Sequence, residues 1–360
     1  MATIYDVAKA AGVSPKTVSR VLNGDAPVGK STCEAVRKAM ADLGYVPSNA
    51  ARMMRSNRSG LIGLITGAIS QNLEPMEPTG LPDLYIVQGI QQVMSESDHT
   101  LMIADTGGNL DCAPALIRTF QQHRVEALIY VADYHQKVTF DPGSATCPLV
   151  LVNCFDDVQT PAILPDDEQG QFELTQSLIQ SGHKRIAYLT LDTAMVAGDL
   201  RSKGYRRALA ESGISYDPAF EIMARKSIHS DDGLLLQDAV NTLMSMPEIP
   251  TVICCGNDEM ALRVYGLLRS KGLRIPEDIS VAGYDNYRSI AETLYPPLTT
   301  VELPYLEMGR IAGKAVLGAI KEKASLETGA QKVQGSVFWR SSVLAKNSIT
   351  QVHSNQRRTT

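Results

Sequence analysis

Cysteine and tryptophan are scarce in this chain of 360 residues, which holds six cysteines and one tryptophan. Cysteines this dilute, none of them in a C-x-x-C pair, argue against a disulfide framework, and we expect them to be reduced and mostly buried. No apolar run approaches the ~18 residues that span a bilayer, so no membrane insertion is predicted. The N-terminus lacks a basic segment followed by an apolar one, so we expect the chain to stay in the cytoplasm.

The motifs of common enzymes are also missing. The sequence contains no G-x-G-x-x-G, G-x-x-x-x-G-K-[ST], G-x-S-x-G or H-E-x-x-H. The six histidines are scattered without the spacing of metal ligands. A sugar-modifying enzyme would need a nucleophile or an acid/base pair, and none is found. We therefore predict a protein that is not an enzyme and has neither cofactor nor metal.

The charge is unevenly distributed along the chain. The formal net charge of −5 argues, as an average, against a nucleic-acid partner. Residues 1–59, however, hold nine Lys or Arg and four Asp or Glu, a net +5, which leaves −10 for the other 301 residues. A small basic segment joined to a large acidic one indicates that the first meets a polyanion and that the second has a separate task.

Hydrophobic periodicity predicts short helices in the basic segment. The first covers residues 6–11 and ends at a turn that needs Gly12. The second begins at once, because Ser14 is a good N-cap and Pro15 fits the first helical position. Asn23-Gly24 is a typical C-terminal stop.

A third helix is predicted from Ser31, where Ser31-x-x-Glu34 has the pattern of a capping box, to Gly44. Three such helices within residues 1–46 are typical of a helix-turn-helix domain, whose second helix enters the major groove. The first exposed residues of that helix are Pro15, Lys16 and Arg20. Arg20 is best suited to a bidentate contact with guanine. A three-helix bundle without a DNA role is the alternative.

Long sequence runs in this segment resemble the DNA-binding domain of the LacI/GalR family of bacterial transcription regulators. They are TIYDVA at 3–8, AGVS at 11–14, TVSRVLN at 17–23 and LGYVP at 43–47. Residues 47–60 are similar to the hinge helix and linker of that family, with Met54 where leucine usually enters the minor groove. The resemblance implies DNA contacts by Tyr5, Ser14, Pro15, Lys16, Thr17, Arg20, Asn23, Asn49, Ala51 and Met54.

Short apolar runs alternate with helical stretches from residue 61 onward. The runs are 61–66, 100–105, 126–131, 148–152, 185–191, 251–255 and 279–284. Continuous apolar runs with helices between them are typical of parallel strands covered on both faces, and the length favours two α/β lobes. Ligands of such sheets sit beyond the carboxyl ends of the strands. Polar residues follow several of these ends, among them Asp105, Asn153, Asp192, Asn257 and Asp285, although each alone is more often a cap or turn residue.

The family resemblance continues through this region to about residue 342. It rests on GHKRIA at 182–187, RSKGYRRAL at 201–209, NDEMAL at 257–262, ISVAGYD at 279–285 and PPLTTV at 296–301. It implies a two-lobed periplasmic-binding-protein-like body, with Arg201 and Asp285 clamping vicinal hydroxyls of an effector. The full set of implied effector-binding residues is Ser70, Tyr134, Asn153, Asp166, Arg201, Asn257 and Asp285.

Two features depart from the family pattern. Ile228 stands where an aromatic residue commonly stacks on a sugar, so stacking would come from Tyr134 or Tyr85 or be absent. The loop after the first strand is replaced by a longer acidic, proline-containing stretch at 71–82. Both departures leave the identity of the ligand open.

These observations predict an α/β protein with an N-terminal helix-turn-helix domain (1–46), a hinge helix and linker (47–60), a two-lobed body (61–345) and a disordered tail (346–360). The first lobe is expected to hold about 61–160 and 290–325, and the second about 161–289 and 326–342. We expect a homodimeric repressor of sugar-utilisation genes that leaves a pseudo-palindromic operator in double-stranded DNA when a small sugar-type effector binds. A corepressor-dependent regulator or activator of the same fold, or a sugar-binding protein without a DNA role, are the alternatives.

Overall fold

A computed structural model of the chain describes residues 2–24, 27–46, 58–67, 84–139, 145–226, 232–323 and 325–346. The chain divides into two compact units, Met1–Gly60 and Leu61–Thr360. Among these described residues, no helix is both long enough and apolar enough to cross a membrane. Each unit has its own apolar core, so each is described separately.

The first unit consists of three helices. They are α1 (Ile4–Ala10), α2 (Pro15–Asn23) and α3 (Lys30–Leu43). Their inward residues form one small core of Val7, Ala8, Val18, Val36 and Ala39. The predicted three-helix arrangement is confirmed.

Local caps determine where these helices begin and end. Ser14 caps α2, because its Oγ accepts a hydrogen bond from the Thr17 amide at 3.2 Å. Gly24 and Gly44 end α2 and α3 in the left-handed conformation, with φ of 68° and 59°. These three signals were predicted correctly.

The predicted capping box of α3 was wrong. The N-cap of α3 is Gly29, and no side chain caps the helix, so Ser31 lies inside its first turn. The capping box of this unit is instead at α1, where Thr3 accepts from the Asp6 amide and Asp6 accepts from the Thr3 amide at 2.8 Å. This box starts α1 at Ile4, two residues before the predicted start.

The second unit alternates strands and helices. Its strands are β1 (Leu61–Thr66), β2 (Thr100–Asp105), β3 (Ala127–Lys137), β4 (Leu149–Phe155), β5 (Ala162–Pro165), β6 (Ile186–Leu191), β7 (Glu221–Arg225), β8 (Val252–Cys255), β9 (Ser280–Asp285), β10 (Thr299–Glu302), β11 (Ala330–Val333) and β12 (Val337–Phe338). Its helices are α4 (Leu84–Ser95), α5 (Ala113–Gln122), α6 (Asp167–Gln180), α7 (Val196–Glu211), α8 (Gly233–Met244), α9 (Asp258–Ser270), α10 (Arg288–Ala291) and α11 (Tyr305–Glu322).

The strands form two six-stranded sheets. The first has the order β11-β5-β4-β3-β1-β2 and the second the order β12-β10-β9-β8-β6-β7. Every pairing is parallel except that of β12 with β10. Apolar clusters lie on both faces of each sheet, α4 and α11 opposite α5 on the first, and α6 and α7 opposite α8 and α9 on the second. The predicted doubly wound, two-lobed body is confirmed.

The chain passes between the sheets three times, at positions that differ from the predicted lobe boundaries. Strands β5 and β11 were expected in the second lobe, but β5 pairs with β4 and β11 pairs with β5, both in the first sheet. Strand β10, expected in the first lobe, pairs with β9 in the second. These strands are only four residues long, which is too short for periodicity to assign them to a sheet.

Two glycines allow α4 and α11 to pack with their backbones in contact. A Cβ added at Gly89 would collide with the Leu306 carbonyl, and one added at Gly309 with the Ile86 carbonyl. A Cβ added at Gly204 of α7 would likewise collide with the Glu168 carbonyl of α6, so these two helices also pack with their backbones in contact. The close approach of α6 and α7 brings residues near their N-terminal ends together at the carboxyl edge of the second sheet.

Candidate functional site

The DNA-facing candidates of the first unit lie on or beside α2. Lys16 and Arg20 are exposed and four residues apart, which places them on one face of the helix. Pro15 and Thr17 are partly exposed, and Ser14 is occupied in the cap, with its Oγ also 3.0 Å from Thr17 Oγ1. On α1, Tyr5 is 71% exposed.

Several predicted site residues fall outside the described part of the chain. These are Asn49, Ala51, Met54 and Ser70, together with the side chain of Asn23. The same holds for Ile228 and for the acidic stretch 71–82. Their predicted roles stay predictions.

Arg201 lies at the centre of the candidate effector site and is buried. Its Nε donates to Asp167 Oδ1 at 2.7 Å, and its Nη1 donates to the Gly256 carbonyl at 2.6 Å. The guanidinium also lies over the Tyr284 ring, 3.7 Å from its centroid, and Nη1 is 3.6 Å from Asp285 Oδ1. The nearest acidic partner of Arg201 is therefore Asp167, and Asp285 is a more distant second.

Asp167 connects the two sheets. It is the first residue of α6, and its Oδ2 accepts a hydrogen bond at 2.8 Å from Nδ1 of His135, which is buried on β3 of the first sheet. Burial by itself would raise the pKa of Asp167, but the Arg201 charge and the His135 hydrogen bond hold that pKa below its ordinary value. A hydrogen-bonded series therefore runs from His135 through Asp167 to Arg201.

Asp285 ends β9 in an unusual backbone conformation. Its φ is +114° and that of Asn286 is +50°, and such strain in residues other than glycine is concentrated at functional sites. The Asp285 side chain is 23% exposed. Its burial raises its pKa to about 7, with the charges of Asp167 and Glu259 adding to the rise and Arg201 opposing it.

Asp258 holds the loop that follows Asp285. Its carboxylate is buried and accepts from Thr300 Oγ1 at 2.6 Å and from the Tyr287 amide at 2.7 Å. Burial, followed by the charge of Asp285, raises the pKa of Asp258 well above its ordinary value. Asp258 is thus in place to fix the conformation of residues 285–287.

Asn257 and Asp166 serve as helix caps in this structure. Asn257 Oδ1 accepts from the Met260 amide at 2.8 Å and caps α9. Asp166 accepts from the Gln169 amide at 3.5 Å, caps α6, and lies 3.2 Å from Lys332 Nζ. Both residues therefore have the helix-cap role that is common for polar residues after a strand.

Asn153 and Tyr134 complete the predicted set. Asn153 is fully buried with φ of +61°, and its Nδ2 donates to the Ala132 carbonyl at 3.2 Å and lies 3.4 Å from the Tyr305 hydroxyl. Among the residues that the structure describes, its buried Oδ1 has no hydrogen-bond partner. Tyr134 is partly buried on β3, and that burial raises its pKa.

A cavity of about 220 Å³ opens beside Asp285. The residues that line it come from α4, from the segment after β9, and from β10 and the start of α11. They are Tyr85, Asp285, Asn286, Tyr287, Arg288, Glu302, Leu303, Tyr305 and Leu306. Of the two tyrosines suggested for stacking, Tyr85 lines this cavity and Tyr134 does not.

The sequence analysis missed several residues of this region. His135, Asp167, Tyr284 and Tyr305 were not singled out, although all four are buried. Asp167 and Tyr284 contact Arg201, Tyr305 contacts Asn153, and His135 contacts Asp167. A signal existed for Asp167, because it directly follows Asp166, which was chosen. In the described part of the chain, no group of three or more His, Cys, Asp or Glu is arranged to hold a metal ion.

Comparison with known proteins gives matches over nearly the whole chain. Residues 3–48 match the family model of bacterial regulatory proteins of the lacI family, and residues 175–343 match that of a periplasmic binding protein-like domain. The HTH-type transcriptional repressor PurR of Vibrio atlanticus is 34% identical over 326 residues, which are 90% of this chain and 93% of that protein.

Solved structures agree with the fold. The lac repressor dimer bound to operator and the anti-inducer ONPF superposes with a TM-score of 0.74 at 26% identity, over 96% of this chain and 99% of that one. The CelR–cellobiose complex gives 0.63 at 28% identity, over 95% and 100%. The chain therefore belongs to the lacI family of bacterial regulatory proteins.

Proposed function

We propose that this chain is a transcriptional repressor that binds a pseudo-palindromic operator as a homodimer and leaves it when a small sugar-type effector binds the body. The observation that carries the proposal is the presence, in one chain, of a basic helix-turn-helix unit and an α/β body with a cavity beside Asp285. Relatives named as transcriptional repressors support the regulatory role. Its place of action is then the cytoplasm, where bacterial DNA lies, and it is a regulator with no enzymatic activity.

On the DNA side, α2 is the proposed reading helix. Lys16 and Arg20 are exposed on one face, and the net charge of +5 over residues 1–59 favours binding to phosphates. Arg20 would contact a guanine edge, while Tyr5, Ser14, Pro15, Thr17 and Asn23 would orient the helix. Asn49, Ala51 and Met54 would enter the minor groove at the centre of the operator.

On the ligand side, Asp285 is the proposed anchor. Its partly exposed carboxylate can accept two hydrogen bonds from neighbouring hydroxyls, and Tyr85 offers a ring face at the cavity wall. Arg201 acts mainly by holding Asp167 and Asp285 in position, since it is buried and its Nε and Nη1 already donate to Asp167 and to the Gly256 carbonyl. The similar regulator CelR has been solved in complex with cellobiose, which supports a sugar as the first class to test.

Control of DNA binding then requires that the effector prefers one arrangement of the body. The cavity is lined from both sheets, through α4 and α11 on one side and the segment after β9 on the other. A ligand held by both sides shifts the equilibrium between arrangements of the two lobes, and the resulting coupling to DNA affinity is reciprocal. Separation of the two hinge segments in the dimer would be the step that releases the operator.

The experiment combines operator selection with ligand screening of the full chain. Operators are selected from a random DNA pool, and sugars are screened by thermal shift, because a bound ligand raises the unfolding temperature. The proposal expects an inverted repeat that is released by the sugar that binds, and it expects Asp285→Ala to bind that repeat without responding to the sugar. Release of Asp285→Ala by the same sugar would place the ligand elsewhere, and tighter operator binding with ligand would identify a corepressor instead.

A further inference from the structure

We propose that the effector of this chain is uncharged or positively charged, and that its cavity excludes anions such as sugar phosphates and sugar acids. The inference rests on the proposed function in one respect, namely that the cavity beside Asp285 is the effector site. Within that site it is argued from the charges of the described residues and from the hydrogen bonds that already occupy them.

The charged groups that line the cavity are mainly acidic. Among the lining residues that the structure describes, Asp285 and Glu302 are carboxylates and Arg288 is the one cation. Arg288 is committed to Glu292, to which Nε and Nη2 donate at 2.8 Å and 3.1 Å. An anion entering the described part of this lining would meet two carboxylates and an arginine that already has a counter-charge.

Arg201, the cation closest to Asp285, has its hydrogen-bonding capacity directed elsewhere. Its side chain is 4% exposed, its Nε is bound to Asp167, and its Nη1 is bound to the Gly256 carbonyl. One face of the guanidinium lies on the Tyr284 ring. A bidentate clamp on a phosphate or carboxylate needs an accessible guanidinium edge, which this geometry does not offer.

Two further arginines around the site are engaged in the same way. Arg340 donates from Nη1 to the Leu298 carbonyl and from Nη2 to Asn286 Oδ1, both at 2.8 Å. Arg225 donates from Nη1 to Glu259 Oε2 at 2.6 Å. Each of the four arginines near the cavity thus already has an acidic group or a carbonyl as its partner.

The carboxylates of this region are poorly solvated, and two of them disfavour each other's ionised form. Burial raises the pKa values of Asp285, Asp258 and Glu302, and neighbouring carboxylates contribute further to the rise at Asp285 and Asp258. A ligand anion would add another like charge to this group, which is unfavourable in a poorly solvated site. Hydroxyl or ammonium donors would instead satisfy the carboxylates.

A second, independent feature also favours a ligand that carries a hydrogen-bond donor. The Oδ1 atom of Asn153 is buried and has no partner among the residues the structure describes, and the same amide contacts Tyr305, which lines the cavity. An unpaired buried acceptor is costly, so a ligand that brings a donor close to it gains affinity. Tyrosine ring faces at the cavity wall favour sugar C–H groups or cations over anions.

The charge of the cavity can be measured without knowing the ligand. Tyr85→Cys, made in a Cys112→Ser background to remove an exposed native thiol, places a reactive group in the cavity wall. Its rate of modification is compared between a cationic methanethiosulfonate (trimethylammonioethyl) and an anionic one (sulfonatoethyl). Gln91→Cys in the same background is the matched control, because Gln91 is exposed on the same helix and does not line the cavity.

We expect the cationic reagent to react about tenfold faster than the anionic one at position 85, relative to position 91, since clefts of one charge sign reach potentials of several kT. Adding Glu302→Gln or Asp285→Asn should lower that ratio. A cationic-to-anionic rate ratio at position 85 that is no larger than the ratio at position 91 would overturn the inference. The ratio is obtained whether or not any sugar binds, so it is independent of the proposed function.

A ligand arm tests the same inference by thermal shift of the full chain. Neutral sugars, the corresponding amino sugars and the corresponding phosphate esters are compared as matched sets. Saturable stabilisation by a neutral or amino form and none by its phosphate ester supports the inference, and stronger stabilisation by the ester overturns it. If no member of any set stabilises the chain, the sugar class of the proposed function is wrong, and the thiol ratio still decides the charge.

Discussion

Arg201 in the body shows how one buried charge determines the roles of its neighbours. Arg201 is held by Asp167, the Gly256 carbonyl, the Tyr284 ring and, at a longer distance, Asp285. A buried ion is tolerated only when its partners remain in place. This makes Asp167 mainly a stabilising residue, while the side chain of Asp285 stays partly exposed.

Replacing Asp167 should therefore be far more damaging than replacing an exposed acid on α7. Asp167→Ala leaves Arg201 without its closest counter-charge and should lower the free energy of unfolding by about 3–5 kcal/mol. The matched control is Asp199→Ala, which removes the exposed Asp199–Lys203 pair and should cost about 0.5 kcal/mol or less. Urea unfolding measures both free energies. Equal losses would show that the buried Asp167–Arg201 pair stabilises the fold no more than the exposed Asp199–Lys203 pair does.

The pH dependence of Asp167 follows from the direction of its pKa shift. Because the folded pKa is lowered, the unfolded state binds the proton more readily, so this stabilisation is present above the unfolded pKa of about 3.9 and is lost as the pH falls through the folded value. The unfolding free energy of the wild type should therefore drop more steeply on acidification than that of Asp167→Ala. Parallel curves for the two proteins at acidic pH would contradict this.

The ionisation of Asp285 should change the stability with pH in the opposite direction. Its folded pKa is raised to about 7, so the folded state binds the proton more readily, and stability is lost as the pH rises from about 4 through 7. Asp285→Asn carries no ionisable group there, so the variant should gain stability relative to wild type over that range. Thermal unfolding from acid to neutral pH measures the difference, and a gap that shrinks as the pH rises would refute it.

In the first unit, Arg20 is the residue that we propose contacts a base edge. Arg20→Ala should weaken binding to the selected operator by about 1–3 kcal/mol and leave binding to unrelated DNA nearly unchanged. Fluorescence anisotropy at one fixed salt concentration measures both affinities. Equal losses on the two DNAs would reassign Arg20 to phosphate contacts.

At the scale of elements, close helix packing sets which substitutions are tolerated. Gly309 of α11 faces the Ile86 carbonyl of α4, whereas Gly318 of the same helix has nothing within reach of an added Cβ. Gly309→Ala should destabilise the body, because the two helices must separate. Gly318→Ala should stabilise it by about 0.4–1 kcal/mol, since alanine favours the helix. Opposite signs in urea unfolding are expected, and a gain at both positions would show that α4 and α11 are not in backbone contact.

How well each helix or strand could be predicted depended on whether its own sequence is enough to define it. Strands with continuous apolar runs in the sequence, such as β1 and β2, were predicted with the observed bounds, because their apolar pattern identifies them without their partners. The four-residue strands β5, β10 and β11 were missed, because each is too short for an apolar pattern to identify it without its partner strand. The capping box predicted at Ser31 does not form, because α3 begins at Lys30 with Gly29 as its N-cap and Ser31 is already inside the helix.

The same distinction applies to the candidate site. Arg201 and Asp285 were found because they sit in recognisable motifs at the ends of elements. His135 was missed because its role depends on β3 extending to Lys137, beyond the apolar run, so that it reaches α6 of the other lobe. A contact between residues 32 positions apart on different sheets has no signature in local sequence.

At the scale of the whole molecule, the division of charge assigns DNA affinity to the first unit. Residues 1–59 carry +5 and the remainder −10, so the body should contribute little attraction to DNA. Operator affinity should fall steeply with salt, with a slope of about −0.9 for each phosphate neutralised. Lys16→Ala should make that slope shallower by about one, whereas Lys203→Ala on the body should not change it. Equal changes for both variants would show that the body also contacts DNA.

The most direct test of ligand control is the operator affinity of the full chain, measured with and without a saturating amount of the sugar that raises its unfolding temperature. Binding of the wild type should weaken by about 5- to 150-fold, the usual range of coupling between two sites, and binding of Asp285→Ala should not change. A wild-type affinity that is the same with and without the bound sugar would contradict ligand control of DNA binding.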